Sequence, residues 1–151
     1  MRRRLTRKEF LTEGCSACLC LAAGGLLLHG CAAVPAVDVE RTRPPGAPKS
    51  FVAKEEEVNP AFYFVKSGIK GVLVRTEKGI VGYENKCSHQ GSPSALKDGA
   101  LVCLWHGSAF DPATGKAIGG PAKEPLRALK LDFKDGLVLL AEAPKRAGGA
   151  P

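Results

Sequence analysis

Two short segments hold the residues whose types and spacing could do chemistry. Cys87-Ser88-His89 is followed, after thirteen intervening residues, by Cys103-Leu104-Trp105-His106. Two thiolates and two imidazoles make a metal-ligand set of soft anionic sulfur and neutral nitrogen. The pairing carries the information, because each segment supplies one ligand of each kind. A zinc finger spaces its first two ligands by about two to four residues, so that one turn closes on one ion. Only Ser88 separates Cys87 from His89. That spacing suits two loops gripping opposite ends of a larger object, one end by sulfur and the other by nitrogen. Two plainer readings use the same residues: a structural zinc module with an S₂N₂ site, or cysteines and histidines that fill a core. Visible absorption separates them, because zinc is colourless.

The elements that must carry these segments are short. Phe51–Lys54, Phe62–Lys66, Val72–Thr76, Ile80–Glu84, Leu101–Leu104, Leu126–Phe133 and Leu137–Leu140 are runs of strand length with turn signals between them. Glu77-Lys78-Gly79 and Lys134-Asp135-Gly136 read as hairpin turns. No segment sustains helical periodicity, so the expected fold class is all-β and mostly antiparallel. Glu55-Glu56-Glu57 reads as a solvated charge run, and Phe62-Tyr63-Phe64 as strand packing rather than a stacking platform.

The paired motifs, flanked by glycines, resemble those of the Rieske [2Fe–2S] family. The likeness continues through His106-Gly107-Ser108-Ala109-Phe110-Asp111, Thr114-Gly115, Gly120-Pro121-Ala122 and Pro125-Leu126, and covers roughly residues 50–143. It implies an antiparallel β sandwich with a two-loop cluster-binding subdomain and a [2Fe–2S] cluster as cofactor. By that resemblance Cys87 and Cys103 hold one iron, and His89 and His106 hold the other on an exposed face. Ser108 occupies the position whose hydroxyl donates to the cluster in high-potential members, and Gly119-Gly120-Pro121 resembles the loop that shields the cluster from a third side. Departures matter too. Ser92 and Trp105 stand where quinol-oxidising members carry a disulfide, and Phe110 stands where they carry tyrosine.

What the resemblance implies is electron transfer, by a subunit of an oxidoreductase rather than an enzyme on its own. The expected setting is a respiratory quinol:cytochrome c reductase-type complex, with a quinol donor and a cytochrome acceptor or another redox partner protein. The alternatives are a Rieske subunit of a periplasmic molybdenum oxidoreductase of the arsenite oxidase kind, or a free Rieske-type ferredoxin. The missing disulfide and short inter-ligand loop favour the ferredoxins, whereas Ser108 and the Gly-Pro-Ala run favour the respiratory group. A catalytic Rieske oxygenase needs a second iron site in a long C-terminal domain, for which the 151 residues leave no room.

Charge and cysteine distribution set the surroundings. The chain has a net charge of +7 from 22 basic and 15 acidic residues. Residues 1–31 hold five basic and two acidic residues, whereas residues 51–143 hold twelve and eleven. A nucleic-acid binder carries its basic stripe on the folded part, so that class is excluded. Arg2, Arg3, Arg4, Arg7 and Lys8 precede an uncharged stretch from Gly14 to Val37, the pattern of an export signal over residues 1–31. Thr6-Arg7-Lys8-Glu9-Phe10-Leu11 resembles a twin-arginine signal with Lys8 in the second position, and Leu28-His29-Gly30-Cys31 resembles a lipobox. The uncharged stretch of 24 residues would alternatively span roughly 36 Å as an uncleaved helix, against a bilayer core of about 30 Å. Either form tethers the protein to a membrane, cleavage without acylation releases it, and all three place it facing the periplasm or the cell exterior. Residues 32–50, with Pro35, Pro44, Pro45, Gly46 and Pro48, read as a linker without regular structure, residues 51–143 as the folded domain, and residues 144–151 as a disordered tail.

Overall fold

β4 shows how the fold is put together, since it buries both of its faces. The computed structural model describes residues 34–141, and within them the elements follow in order. They are β1 (Val37–Asp38), a single helical turn α1 (Val39–Thr42), β2 (Phe51–Lys54), a 3₁₀ turn (Glu55–Glu57), β3 (Ala61–Lys66), β4 (Ile69–Thr76) and β5 (Gly79–Glu84). There follow β6 (Ser94–Lys97), β7 (Ala100–Cys103), β8 (Ala109–Phe110), β9 (Ala117–Gly119), β10 (Leu131–Lys134) and β11 (Leu137–Leu140). The export signal expected over residues 1–31 and the tail over 144–151 lie outside the described residues.

Three sheets result, with strand orders β1-β3-β4-β5, β10-β11-β2 and β6-β7-β8-β9. All pairs are antiparallel except β1 with β3. Side chains alternate across a strand. Leu73 of β4 therefore joins Phe64, Val52 and Val138 in a core shared with the second sheet. Its neighbours Val72 and Val74 join Tyr83, Cys87, Leu101, Cys103 and Phe110 in a second core under the third sheet. The uninterrupted apolar run Val72-Leu73-Val74 thus reads as a strand covered on both sides.

The expected strands form, with two corrections. Leu126–Phe133 is not one strand. Residues 126–130 run along β5, with Leu129 N–H bonded to the Gly82 carbonyl at 2.8 Å and a bridge between Tyr83 and Ala128. Only Leu131–Lys134 then pairs, in the second sheet. The segment crosses between cores, with Leu126 in one and Leu129 in the other, and cannot stay in one ladder.

The second correction concerns the linker expected over residues 32–50. Its prolines punctuate only the ends, and the stretch between them docks. β1 pairs with the open edge of β3, and Val39 is buried in the first core. Glu40 accepts from Lys66 Nζ at 3.1 Å and from Ser67 Oγ at 3.3 Å. The Lys66 side chain is only 6% exposed, so this carboxylate is its counter-charge in a largely desolvated place. The three glutamates after β2 are otherwise as expected: exposed or nearly so, with Glu57 Oε2 accepting from the Lys54 N–H at 2.7 Å.

Candidate metal centre

Both ligand motifs fold into loops of one design. Cys87-Ser88-His89-Gln90-Gly91-Ser92 follows β5, and Cys103-Leu104-Trp105-His106-Gly107-Ser108 joins β7 to β8. In the first, the Gly91 N–H bonds to the Cys87 carbonyl at 2.8 Å and the Cys87 N–H to the Ser92 carbonyl at 2.9 Å. In the second, the Gly107 N–H bonds to the Cys103 carbonyl at 3.1 Å and the Cys103 N–H to the Ser108 carbonyl at 2.8 Å. Each reversal needs a positive φ at its fifth residue, +77° at Gly91 and +65° at Gly107, a conformation that glycine adopts without strain. The Leu104 N–H, bonded to the Pro93 carbonyl at 3.1 Å, stitches one loop to the other.

Within this frame the sulfurs face in and the imidazoles face out. Cys87 and Cys103 are buried and unpaired by any disulfide. His89 and His106 are exposed, with ring centroids 4.9 Å apart and an interplanar angle of 82°. Burial pushes the Cys103 thiol up. The amides of Trp105 and His106 and the side chains of Cys87 and Ser92 more than reverse it, leaving the group below its ordinary value. That is a setting for a thiolate ligand rather than a core filler. Trp105, 65% exposed, stands edge-on to His106 at 6.3 Å, and Leu104 beside it is 40% exposed.

A third segment braces the loops. Ala122 donates its N–H to Ser108 Oγ at 3.1 Å, and Ser88 Oγ donates to the Glu124 carbonyl at 2.6 Å. Ser108 is fully buried. Its oxygen accepts from Ala122, which leaves its hydrogen available for another acceptor. Further out, Asp111 Oδ1 accepts from the Thr114 N–H at 2.7 Å and from Thr114 Oγ1 at 2.6 Å, and these bonds hold its carboxyl below the usual range. Asp111-x-x-Thr114-Gly115 is therefore a turn that closes β8 on β9 rather than a ligand set.

All five residues singled out in the sequence, Cys87, His89, Cys103, His106 and Ser108, meet at these two loops. The donor set fits a group with two metal atoms, thiols at one end and imidazoles at the other. Among the described residues no three His, Cys, Asp or Glu side chains converge on a single point. The two positions of the missing disulfide differ. Ser92 is buried and its hydroxyl donates to the Pro93 carbonyl at 3.3 Å, whereas Trp105 faces solvent. Sequence reasoning missed Asn85 and Ser94, two buried polar residues under the loops; a serine on either side of Pro93 was the available signal. Cys15, Cys18, Cys20 and Cys31 lie outside the described residues.

The family model that matches the chain is that of the Rieske [2Fe–2S] domain, over residues 48–130. Comparison with curated proteins gave no match. Among solved structures, the cyanobacterial plasma membrane Rieske protein PetC3 from Synechocystis PCC 6803 is 20% identical with a TM-score of 0.54, covering 61% of this chain and 98% of that one. The ferredoxin of carbazole 1,9a-dioxygenase from Nocardioides aromaticivorans IC177 is 23% identical with a TM-score of 0.53, covering 62% and 96%. The Sphingomonas yanoikuyae B1 ferredoxin is 18% identical with a TM-score of 0.53, covering 62% and 97%. At these identities the likeness is one of fold.

Proposed function

The chain belongs to the Rieske [2Fe–2S] family, and from that membership we propose a membrane-tethered one-electron carrier whose cluster is held by Cys87, His89, Cys103 and His106. The observation that carries the ligand assignment is the pair of matched loops, each burying one thiol and exposing one imidazole. When bound, the cluster takes up and gives up a single electron. The chain's own groups do the rest. The neighbouring amides of Trp105 and His106 favour negative charge at Cys103. Leu104, Trp105 and the two imidazoles form the exposed face across which a partner protein exchanges the electron.

The setting follows from the ends of the chain and the residues around the loops. The basic, then uncharged, N-terminal segment supports export and a membrane tether, with quinol as donor and a cytochrome as acceptor in a quinol:cytochrome c reductase-type complex. Residues 37–42 dock onto the domain and so belong to its folded part rather than to such a tether. A second reading, a ferredoxin-type carrier, is favoured by one observation: Ser92 and Trp105 leave the loops without a disulfide.

Iron, sulfide and paramagnetic resonance test the assignment. The purified protein should hold two irons and two sulfides, and the reduced form should show the low average g-value of a centre with nitrogen ligands. Cys87→Ser or Cys103→Ser should abolish iron binding. Stoichiometric zinc without iron in natively folded material refutes it. Mass spectrometry of the mature N-terminus tests the tether: an acylated Cys31 or an intact Arg2 supports it, and a soluble protein beginning near Ala32 refutes it.

A further inference from the structure

Among the described residues, one buried side-chain polar atom lacks a hydrogen-bond partner, and it is the hydroxyl of Ser94. Ser94 opens β6 and is fully buried. It stands directly opposite Cys103 in the β6–β7 register. The bond from Leu104 N–H to the Pro93 carbonyl makes these two a non-hydrogen-bonded pair, the kind whose side chains lie closest. Directly opposed residues also leave the same face of the sheet. Ser94 therefore presents its side chain on the face that carries the Cys103 sulfur.

Its main chain is fixed from elsewhere. Asn85, itself buried, accepts from the Ser94 N–H at 2.7 Å and donates Nδ2 to the Ser94 carbonyl at 3.1 Å. This clamp satisfies both backbone groups and leaves the hydroxyl as the spare donor. Neither the Cys103 sulfur nor any other group of the described residues accepts from it. A dry hydroxyl with no partner is worse than the methyl of alanine. Serine here calls for an acceptor that the polypeptide does not supply.

We propose that Ser94 is a hydrogen-bond donor to the redox centre: its hydroxyl gives its hydrogen to a cluster sulfur on the Cys103 side and so favours the reduced form. The proposal rests on the reading that the four ligands above hold a [2Fe–2S] cluster. The coupled step is a one-electron reduction in which no covalent bond forms or breaks. The proton stays on Ser94 Oγ, and the added negative charge on sulfur strengthens the bond.

The test compares the full-length chain with Ser94→Ala and Ser94→Cys, each with iron and sulfide measured first. Ser94→Ala should keep its iron, and its reduction equilibrium should become about tenfold less favourable, a fall of about 59 mV in midpoint potential. Iron–sulfur stretching bands that shift between H₂O and D₂O in the wild type should lose one component. Ser94→Cys, a weaker donor, should fall between the two. A full iron content with an unmoved potential and unchanged isotope shifts overturns the proposal, and means that a buried water satisfies the hydroxyl. If Ser94→Ala loses its iron, Ser94→Cys carries the comparison, and an unmoved potential there overturns it equally. A wild type without iron is a different result, since it removes the cluster reading and this proposal with it.

Discussion

Gly120 is where the bracing segment comes nearest the second loop, and adding one methyl there should loosen the centre. A Cβ at Gly120 would stand 2.6 Å from Ser108 Cα, 3.0 Å from Ser108 N and 3.1 Å from the Gly107 oxygen. These are backbone atoms that cannot rotate away. The residue also sits at a φ of +80°, which costs an L-residue about 1–2 kcal/mol. Relief requires the segment to back off from the loop, and the 3.1 Å bond from Ala122 N–H to Ser108 Oγ then breaks. A buried amide left without a partner costs about 1–3 kcal/mol. Together these come to about 2–5 kcal/mol, or a melting temperature at least about 8 °C lower for a domain of this size. Gly136 is the control, because its φ is +73° but nothing lies within 4 Å of a Cβ there. Calorimetry of the cluster-loaded protein, with the rate of bleaching of its visible absorption, reads both effects. Gly120→Ala should melt well below Gly136→Ala and bleach faster. Equal bleaching rates, with melting temperatures within about 2 °C of each other, would refute the view that this backbone contact holds the loops.

Two further perturbations follow from the same geometry. Ser108→Ala removes the acceptor of the Ala122 amide and the hydroxyl expected to donate to the cluster, so voltammetry should show a lower potential and calorimetry a loss of about 1–3 kcal/mol. Phe110→Tyr adds a hydroxyl to a fully buried ring in the core under the loops. It should raise the potential by some tens of millivolts, where about 59 mV is a tenfold change in the one-electron equilibrium. An unmoved value means that the hydroxyl does not reach the centre. The docked segment has its own pH signature. The hydrogen bond and charge of Lys66 lower the Glu40 carboxyl below its ordinary 4.5, so the pair's contribution is present above that value and is lost as pH falls through the lower folded one. Amide exchange at residues 37–42 should rise over that range in the wild type, and Glu40→Gln should show the raised exchange already at pH 7.

The parts of the fold legible in the sequence are those with a local cause. Phe51–Lys54 and Leu137–Leu140 form strands with the expected bounds, because apolar runs between turn residues need no long-range information. The hairpins at Glu77-Lys78 and Asp135-Gly136 likewise close where their turn residues stand. Elements that depend on a partner were hidden. β8 and β9 are two and three residues long and exist only because β7 offers an edge. The turn at Val39–Thr42 exists because β3 has an open edge and Lys66 needs a counter-charge. At the site, ligand chemistry showed in residue types alone. The Asn85–Ser94 clamp did not, because two common polar residues mean nothing until the fold places them together in a dry core.

The division between inward sulfurs and outward imidazoles comes from strand phase rather than from any property of the ligands. Tyr83 is buried in β5, and beyond its end at Glu84 the residues Asn85 and Cys87 continue the alternation of buried positions. Leu101 and Cys103 are likewise the alternate buried positions of β7. Each cysteine is thus the last residue to obey the two-residue period before its loop turns away. His89 and His106 lie inside the turn, where the backbone has rotated and the period no longer applies. The different spacings, one residue between Cys87 and His89 and two between Cys103 and His106, both reach the outer face because both lie within the reversal that Gly91 and Gly107 close. A one-residue slip in either strand would send a thiol to the surface and empty the core of its ligand. The register of β5 and β7 therefore fixes which end of the centre is shielded and which end a partner can touch.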